Sequence, residues 1–220
     1  MAKQLNFDLP VRAALGRGDF FVSPANKIAL GLIESWSTWP GNKLVLSGPP
    51  GAGKTHLAHV WAGIVGAQII SAASLSGADI PALCTGPIAV EDIPEISQDK
   101  RAQTALFHVH NLTLAEGHSM LLTGINDPKH WGLSLPDLHS RMQGTTVATL
   151  SQPDDTLLMA VLAKQFNDRQ LTPSADTIRY LLTHMDRSFD AATRIVAELD
   201  HLSLTEKRPI TRTLAKRALN

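Results

Sequence analysis

Gly48-Pro49-Pro50-Gly51-Ala52-Gly53-Lys54-Thr55 is the stretch that decides the fold. It matches the phosphate-binding loop pattern G-x-x-x-x-G-K-[ST] at every fixed position. The residue types explain the chemistry. Gly48, Gly51 and Gly53 allow turns that a Cβ would obstruct, so successive backbone N–H groups can point inward at phosphate oxygens. Lys54 supplies an ammonium for the β- and γ-phosphates, and the Thr55 hydroxyl can ligate Mg²⁺. Upstream, Lys43-Leu44-Val45-Leu46 is a short apolar run that reads as a buried strand. Downstream, Thr55 to Val65 carries Leu57, Val60, Trp61 and Ile64 at helical spacing. That helix would aim its N-terminal dipole at an anion, with His56 in its first turn. Strand, loop and helix together predict a nucleoside di- or triphosphate site.

Bulk properties narrow the class. The chain has 220 residues, 44% of them hydrophobic, enough for one α/β domain and a smaller satellite. Twenty basic and twenty acidic residues cancel, so there is no bulk attraction for nucleic acid. Cys84 is the single cysteine; it excludes an internal disulfide and reads as a small buried side chain. The opening MAKQLNFDLP lacks the apolar core of a signal peptide. No apolar stretch approaches a membrane span, and the expected compartment is the cytoplasm.

Outward from the loop, Gln68–Ser71, Pro87–Val90, Ser119–Thr123 and Thr145–Leu150 read as four further strands. Helical patterns lie between most of them, and Asn26–Trp36 reads as a helix ahead of the first strand, with Ile28, Leu32 and Ile33 on its buried side. The alternation predicts an α/β domain with a mainly parallel five-stranded sheet. After Pro153 the texture becomes wholly helical: Asp154–Phe166, Pro173–His184, Ser188–Leu202 and Pro209–Leu219. Prolines 173 and 209 read as helix starts. The expected division is a segment over 1–18, a nucleotide domain over 19–152 and an all-α lid over 153–220, the architecture of the AAA+ class.

Phosphate-loop proteins also need a carboxylate at a strand end to hold Mg²⁺. Ile88-Ala89-Val90-Glu91-Asp92 offers an apolar strand ending in two acids. Glu91 falls where the metal-side acid belongs, beside Thr55, and Asp92 where a water-activating base belongs. This order places the longer side chain at the metal and the shorter at the base, which predicts slow hydrolysis without loss of binding.

Several segments, taken in order, resemble the DnaA-related AAA+ ATPases, and within them the Hda type. They are Phe20-Phe21-Val22-Ser23-Pro24-Ala25-Asn26, the loop and acids above, Leu121–Gly124 with Pro128-Lys129, Leu135–Met142, and Met185–Asp190. The resemblance implies that Phe21 and Val22 line an adenine pocket holding ADP or ATP with Mg²⁺. It implies that Arg141 is an arginine finger entering a neighbouring subunit's nucleotide site, and that Arg187 is a second sensor reaching the phosphates of its own. A finger implies a subunit contact, and assembly with itself or with another chain both stay open. Ile125 stands where the family often has an acidic first-sensor residue, with Asn126 and Asp127 following. ADP is the resting ligand that the resemblance implies.

The ends separate relatives. The sequence stops at Asn220, too soon after the lid for a helix-turn-helix domain, so sequence-specific DNA binding by this chain is not expected. Gln4-Leu5-Asn6-Phe7-Asp8-Leu9-Pro10 resembles the sliding-clamp peptide of Hda-type proteins. Gln4 would fill a polar subsite, and Leu5, Phe7 and Leu9 an apolar groove. The reading that follows is a regulator that docks on the clamp and stimulates ATP hydrolysis by a DnaA-type initiator. An autonomous ATPase that remodels DNA or loads a helicase, and a nucleotide-gated scaffold, are the alternatives. His108 and His110 sit two apart on a helix and face different ways, and Trp36, Trp39, Trp61 and Trp131 read as packing residues.

Overall fold

The structure, a computed structural model, describes residues 20–219. Strands β1 (Lys43–Ser47), β2 (Gln68–Ser71), β3 (Ile88–Glu91), β4 (Met120–Gly124) and β5 (Val147–Thr149) form one sheet in the order β2-β3-β4-β1-β5. Every pairing is parallel, with Lys43 opposite Met120, Val45 opposite Val147 and Gln68 opposite Ile88. Strands β1 and β4 lie inside the sheet and have helices on both faces. Their near-unbroken apolar sequences follow from that burial: all of β4, and all of β1 beyond Lys43, is buried.

Helices α1 (Lys27–Glu34) and α2 (Lys54–Val65) cover one face of the sheet through Leu30, Ile33, Leu57, Val60 and Trp61. Trp39 stacks on Trp61 at 5.4 Å within that layer. The other face is covered by α3 (Ile80–Leu83), α4 (Lys100–Ala115) and α5 (Pro136–Gln143), with Leu106, Val109, Leu138 and Trp131 in the core and Cys84 buried among them. Two helix residues depart from expectation. Ile28 is 74% exposed and Ile64 48% exposed. Helix α1 turns Ala29, Leu30 and Ile33 inward instead, and Ile64 closes the apolar stripe of α2 on its solvent edge.

The lid is α6 (Asp155–Asp168), α7 (Ala175–His184), α8 (Phe189–Glu206) and α9 (Arg212–Ala218), packed around Leu158, Leu162, Phe166, Leu181, Val196 and Leu199. Each of these helices starts at a side-chain cap: Asp154, Ser174, Ser188 and Thr211 accept from backbone N–H groups one turn on. Pro173 and Pro209 therefore precede the caps rather than occupying the first helical position. The hydroxyls of Ser174 and Thr211 set the start, and the prolines only direct the chain into it. No helix among the described residues is long and apolar enough to cross a membrane.

Candidate functional site

The sheet order places the phosphate loop on the C-terminal edge of β1, between β4 and β5, where ligands bind in open parallel sheets. Two glycines there need their missing side chain. Gly51 (φ +67) would put a Cβ 2.4 Å from the Ser188 Cβ, and Gly53 (φ +95) would put one 3.1 Å from the Phe189 ring. The loop is thus packed directly under the first turn of α8, and the Phe189 N–H donates to the Gly51 carbonyl at 3.0 Å. Beyond Gly53, helix α2 starts at Lys54 and turns the positive end of its dipole toward the loop.

Lys54 is 8% exposed, and its Nζ donates to the carbonyls of Gly48 and Pro49 at 2.9 and 3.0 Å. Burial pulls its pKa down, while Asp92, Asp190 and Glu91 oppose the shift. Glu91 ends β3 and accepts a hydrogen bond from the Thr55 side chain. Burial raises its pKa; the Thr55 bond works against that, and Asp92 adds to it. The Glu91 Oε1 is buried with no hydrogen-bond partner. An orphaned carboxylate oxygen beside a hydroxyl suits a hard, oxygen-seeking cation, so these two residues fit Mg²⁺ shared with phosphates. Among the described residues no three His, Cys, Asp or Glu converge as a protein-only metal site. Asp92 adopts a left-handed conformation (φ 57), and its N–H donates to the Thr123 hydroxyl at 3.1 Å.

A cavity of about 980 Å³ lies between the sheet and the lid. Pro50, Gly51, Gly53, Lys54, Thr55, His56 and Asp92 line its phosphate end; Phe20, Phe21, Leu157 and Val161 line an apolar side. The Phe20 ring meets His56 edge-on at 5.1 Å. Val22 is 52% exposed and lies outside the lining: the extended chain carries it past the cavity once Phe20 and Phe21 are docked. Gln4, Leu5, Phe7 and Leu9 lie outside the described residues.

Arg187 also stands apart from the cavity. It precedes the Ser188 cap, so the helix does not direct it inward, and its guanidinium bonds Asp155 at 2.7 Å. The lid residues that reach the lining from α8 are Asp190, Thr193 and Arg194, spaced as one helix face. Ile125, rather than Asn126 or Asp127, lines the cavity after β4, because Asn126 spends its carbonyl on the Ser47 hydroxyl and the Trp131 indole.

Arg141 occupies the opposite edge of the sheet. It sits in the last turn of α5, exposed, with its guanidinium carbon 5.3 Å above the Phe107 ring. Its carbonyl accepts from the Thr145 hydroxyl at 2.8 Å and from Nζ of Lys43, the first residue of β1, at 3.2 Å. The same ammonium meets Nε2 of the buried His110 at 3.3 Å. Since β1 rises about 3.3 Å per residue, its two ends, one under Arg141 and one under the loop, are about 13 Å apart.

Sequence reasoning missed Gln103. It is 1% exposed. Its amide donates to the carbonyls of Ile96 and Ser97, and its Oε1 accepts from the N–H groups of Ser134 and Leu135 at 2.9 and 3.0 Å. It thereby ties the turn after Asp92 to the start of α5, the helix that carries Arg141.

Residues 154–219 match the family model described as the Hda lid domain. The structure is similar to domain III of the replication initiation protein DnaA from Thermotoga maritima, at TM-score 0.81 and 18% identity, over 96% of this chain and 98% of that one. It is similar to AMPPCP-bound DnaA from Aquifex aeolicus, at TM-score 0.68 and 20% identity, over 85% of this chain and 65% of that one. A Thermotoga maritima RuvB mutant matches at TM-score 0.65 and 18% identity, over 89% of this chain and 67% of that one. The chain thus spans nearly all of the isolated DnaA domain but about two thirds of the other two chains. Residues 154–219 thus carry a lid of the Hda type, and the five-stranded parallel sheet with its helical lid has the fold of the DnaA domain.

Proposed function

We propose that this protein regulates the initiation of chromosomal replication. It binds an adenine nucleotide in the cavity, docks on the sliding clamp through Gln4, Leu5, Phe7 and Leu9, and stimulates ATP hydrolysis by a DnaA-type initiator in trans. The observation that carries this reading is the separation of Arg141 from its own phosphate loop. An exposed guanidinium at the far edge of the sheet lies outside its own cavity lining but is open to a neighbour.

In this reading the loop amides and Lys54 grip the phosphates, and Phe20 and Phe21 shelter the base. Thr55 and Glu91 are the residues available to Mg²⁺, which when bound neutralises phosphate charge. The Arg141 side chain, braced on Phe107 and rooted by the Lys43 bond, stabilises charge developing on the initiator's transferred phosphoryl group. Such a finger is worth roughly 10³ to 10⁵ in rate. The protein's own turnover is weak, since Ile125 offers no hydrogen bond at the reacting phosphate.

The test is an initiator ATPase assay with DNA-loaded clamp. Wild type should stimulate hydrolysis, and Arg141→Ala should lose at least roughly a thousandfold of that stimulation. Equal stimulation by both proteins defeats the proposal.

A further inference from the structure

Away from the nucleotide cavity, a second concave surface of about 580 Å³ lies where the 3₁₀ turn over Ala72–Gly77 and the start of α3 meet α4. Its floor is aliphatic: Leu75 is buried, and Ala78, Ile80 and Ala105 are half-buried. Its rim is basic. Lys100, Arg101 and His108 line it from α4, all three exposed, at spacings that put them on one side of the helix. Thr104 stands between them and spends its hydroxyl on the Lys100 carbonyl at 2.9 Å. Among the described residues no acid enters the lining.

The rim charges are not answered within the described part of the chain. Lys100 and Arg101 make no ion pair among those residues. The acids that flank the groove in sequence are used elsewhere. Asp99 accepts from the N–H groups of Arg101 and Ala102 at 2.9 and 3.0 Å, and Asp79 from the Ala82 N–H at 3.3 Å. Both cap helix starts and lie outside the lining. The chain as a whole is neutral, so this is a local concentration of charge and not one sample of a basic surface. Lys100 to His108 spans two helical turns, about 12 Å. The Asp99 cap and the buried Gln103 fix the start of α4, so the two leading cations are presented on a rigid base.

We propose that this groove docks a short acidic segment of a partner protein, with an aliphatic anchor on Leu75, Ile80 and Ala105 and carboxylates over Lys100, Arg101 and His108. The inference stands apart from the nucleotide reading and does not depend on it. An apolar strip beside a single-sign rim is the complement of an amphipathic peptide, which needs both surfaces at once. The floor argues against single-stranded nucleic acid. Such strands stack their bases on aromatic side chains, whereas this floor holds no Phe, Tyr or Trp.

The experiment is fluorescence anisotropy on the full chain with a dye-labelled synthetic peptide of about twelve residues, carrying two leucines four positions apart among glutamates. Companion probes replace its glutamates with lysine or its leucines with serine, and a labelled oligothymidylate stands for nucleic acid. Wild type should bind the acidic leucine peptide, more weakly as salt is added. Lys100→Glu with Arg101→Glu should weaken binding at least about tenfold. Both positions are exposed in the first turn of α4, where acids suit the helix dipole, so the double variant should melt like wild type. Ala105→Gln fills the floor without adding charge and should weaken binding several-fold. No binding by wild type, equal affinity for the lysine or serine peptides, or unchanged affinity in the double variant overturns the proposal. Tighter binding of oligothymidylate than of the acidic peptide also overturns it and makes the groove a nucleic-acid surface.

Discussion

Replacing Gln103 with leucine removes a side chain that closes hydrogen bonds on two separate segments. The amide loses the Ile96 and Ser97 carbonyls at 3.0 and 2.9 Å, and the N–H groups of Ser134 and Leu135 lose their acceptor. A net bond contributes about 0.5–1.5 kcal/mol, and a buried orphan costs about 1–3 kcal/mol. The Ile96 carbonyl sits in the core, whereas the N–H groups of the exposed Ser134 and half-buried Leu135 can reach water in part. Leucine has a similar volume, so cavity effects are small, and the expected loss is about 3 kcal/mol. Urea unfolding followed by fluorescence of Trp131, which lies in the same core layer, should show a lower midpoint with an unchanged slope. The substitution should also weaken stimulation of the initiator, because it releases the start of α5, the helix that positions Arg141. A stability loss below about 1 kcal/mol would refute the view that these bonds are buried structural links.

Gly51→Ala forces a Cβ to within 2.4 Å of Ser188 at a φ of +67. The lid must move off the loop, so hydrogen exchange should rise in the first turn of α8 and nucleotide affinity should fall by at least about tenfold, with left-handed strain of about 1–2 kcal/mol added; unchanged exchange there would contradict the docked lid. Burial lowers the His110 pKa to about 4 from 6.5, with the Asn111 bond opposing and the Lys43 and Arg141 charges reinforcing the shift. A histidine kept neutral by folding contributes stability that is complete above pH 6.5 and is lost as pH falls toward 4. Wild type should therefore lose about 3 kcal/mol more between pH 7 and pH 4 than His110→Gln, measured by denaturant titration at each pH.

The sheet and the lid were legible because their signals are local. Apolar runs such as Leu44–Leu46 and Leu121–Leu122 mark buried parallel strands, and a capping residue, Asp154, Ser174, Ser188 or Thr211, stands in the sequence before every lid helix. The loop carries its own chemistry in its spelling. What stayed hidden depends on how the lid sits over the loop. The resemblance points to Arg187 as the lid cation, whereas the packing of Phe189 on Gly53 turns the helix face of Arg194 to the cavity. Gln103 had no signal at all, since a single glutamine on an amphipathic helix normally faces water and this one is buried. Ile28 misled for a related reason: a short apolar helix offers two stripes, and contact with α2 and β5 selects one.

Titration of Mg-ADP into wild type and into Lys54→Ala, with folding of both checked by thermal melting, tests the central claim most directly. Lys54 is the ammonium at the mouth of the loop, 8% exposed and held by the Gly48 and Pro49 carbonyls. The account predicts saturable binding at a single site in wild type, weakened roughly ten- to a hundredfold in the variant by loss of a charge-assisted hydrogen bond. Equal affinity in the two folded proteins, or no binding to wild type, would contradict it.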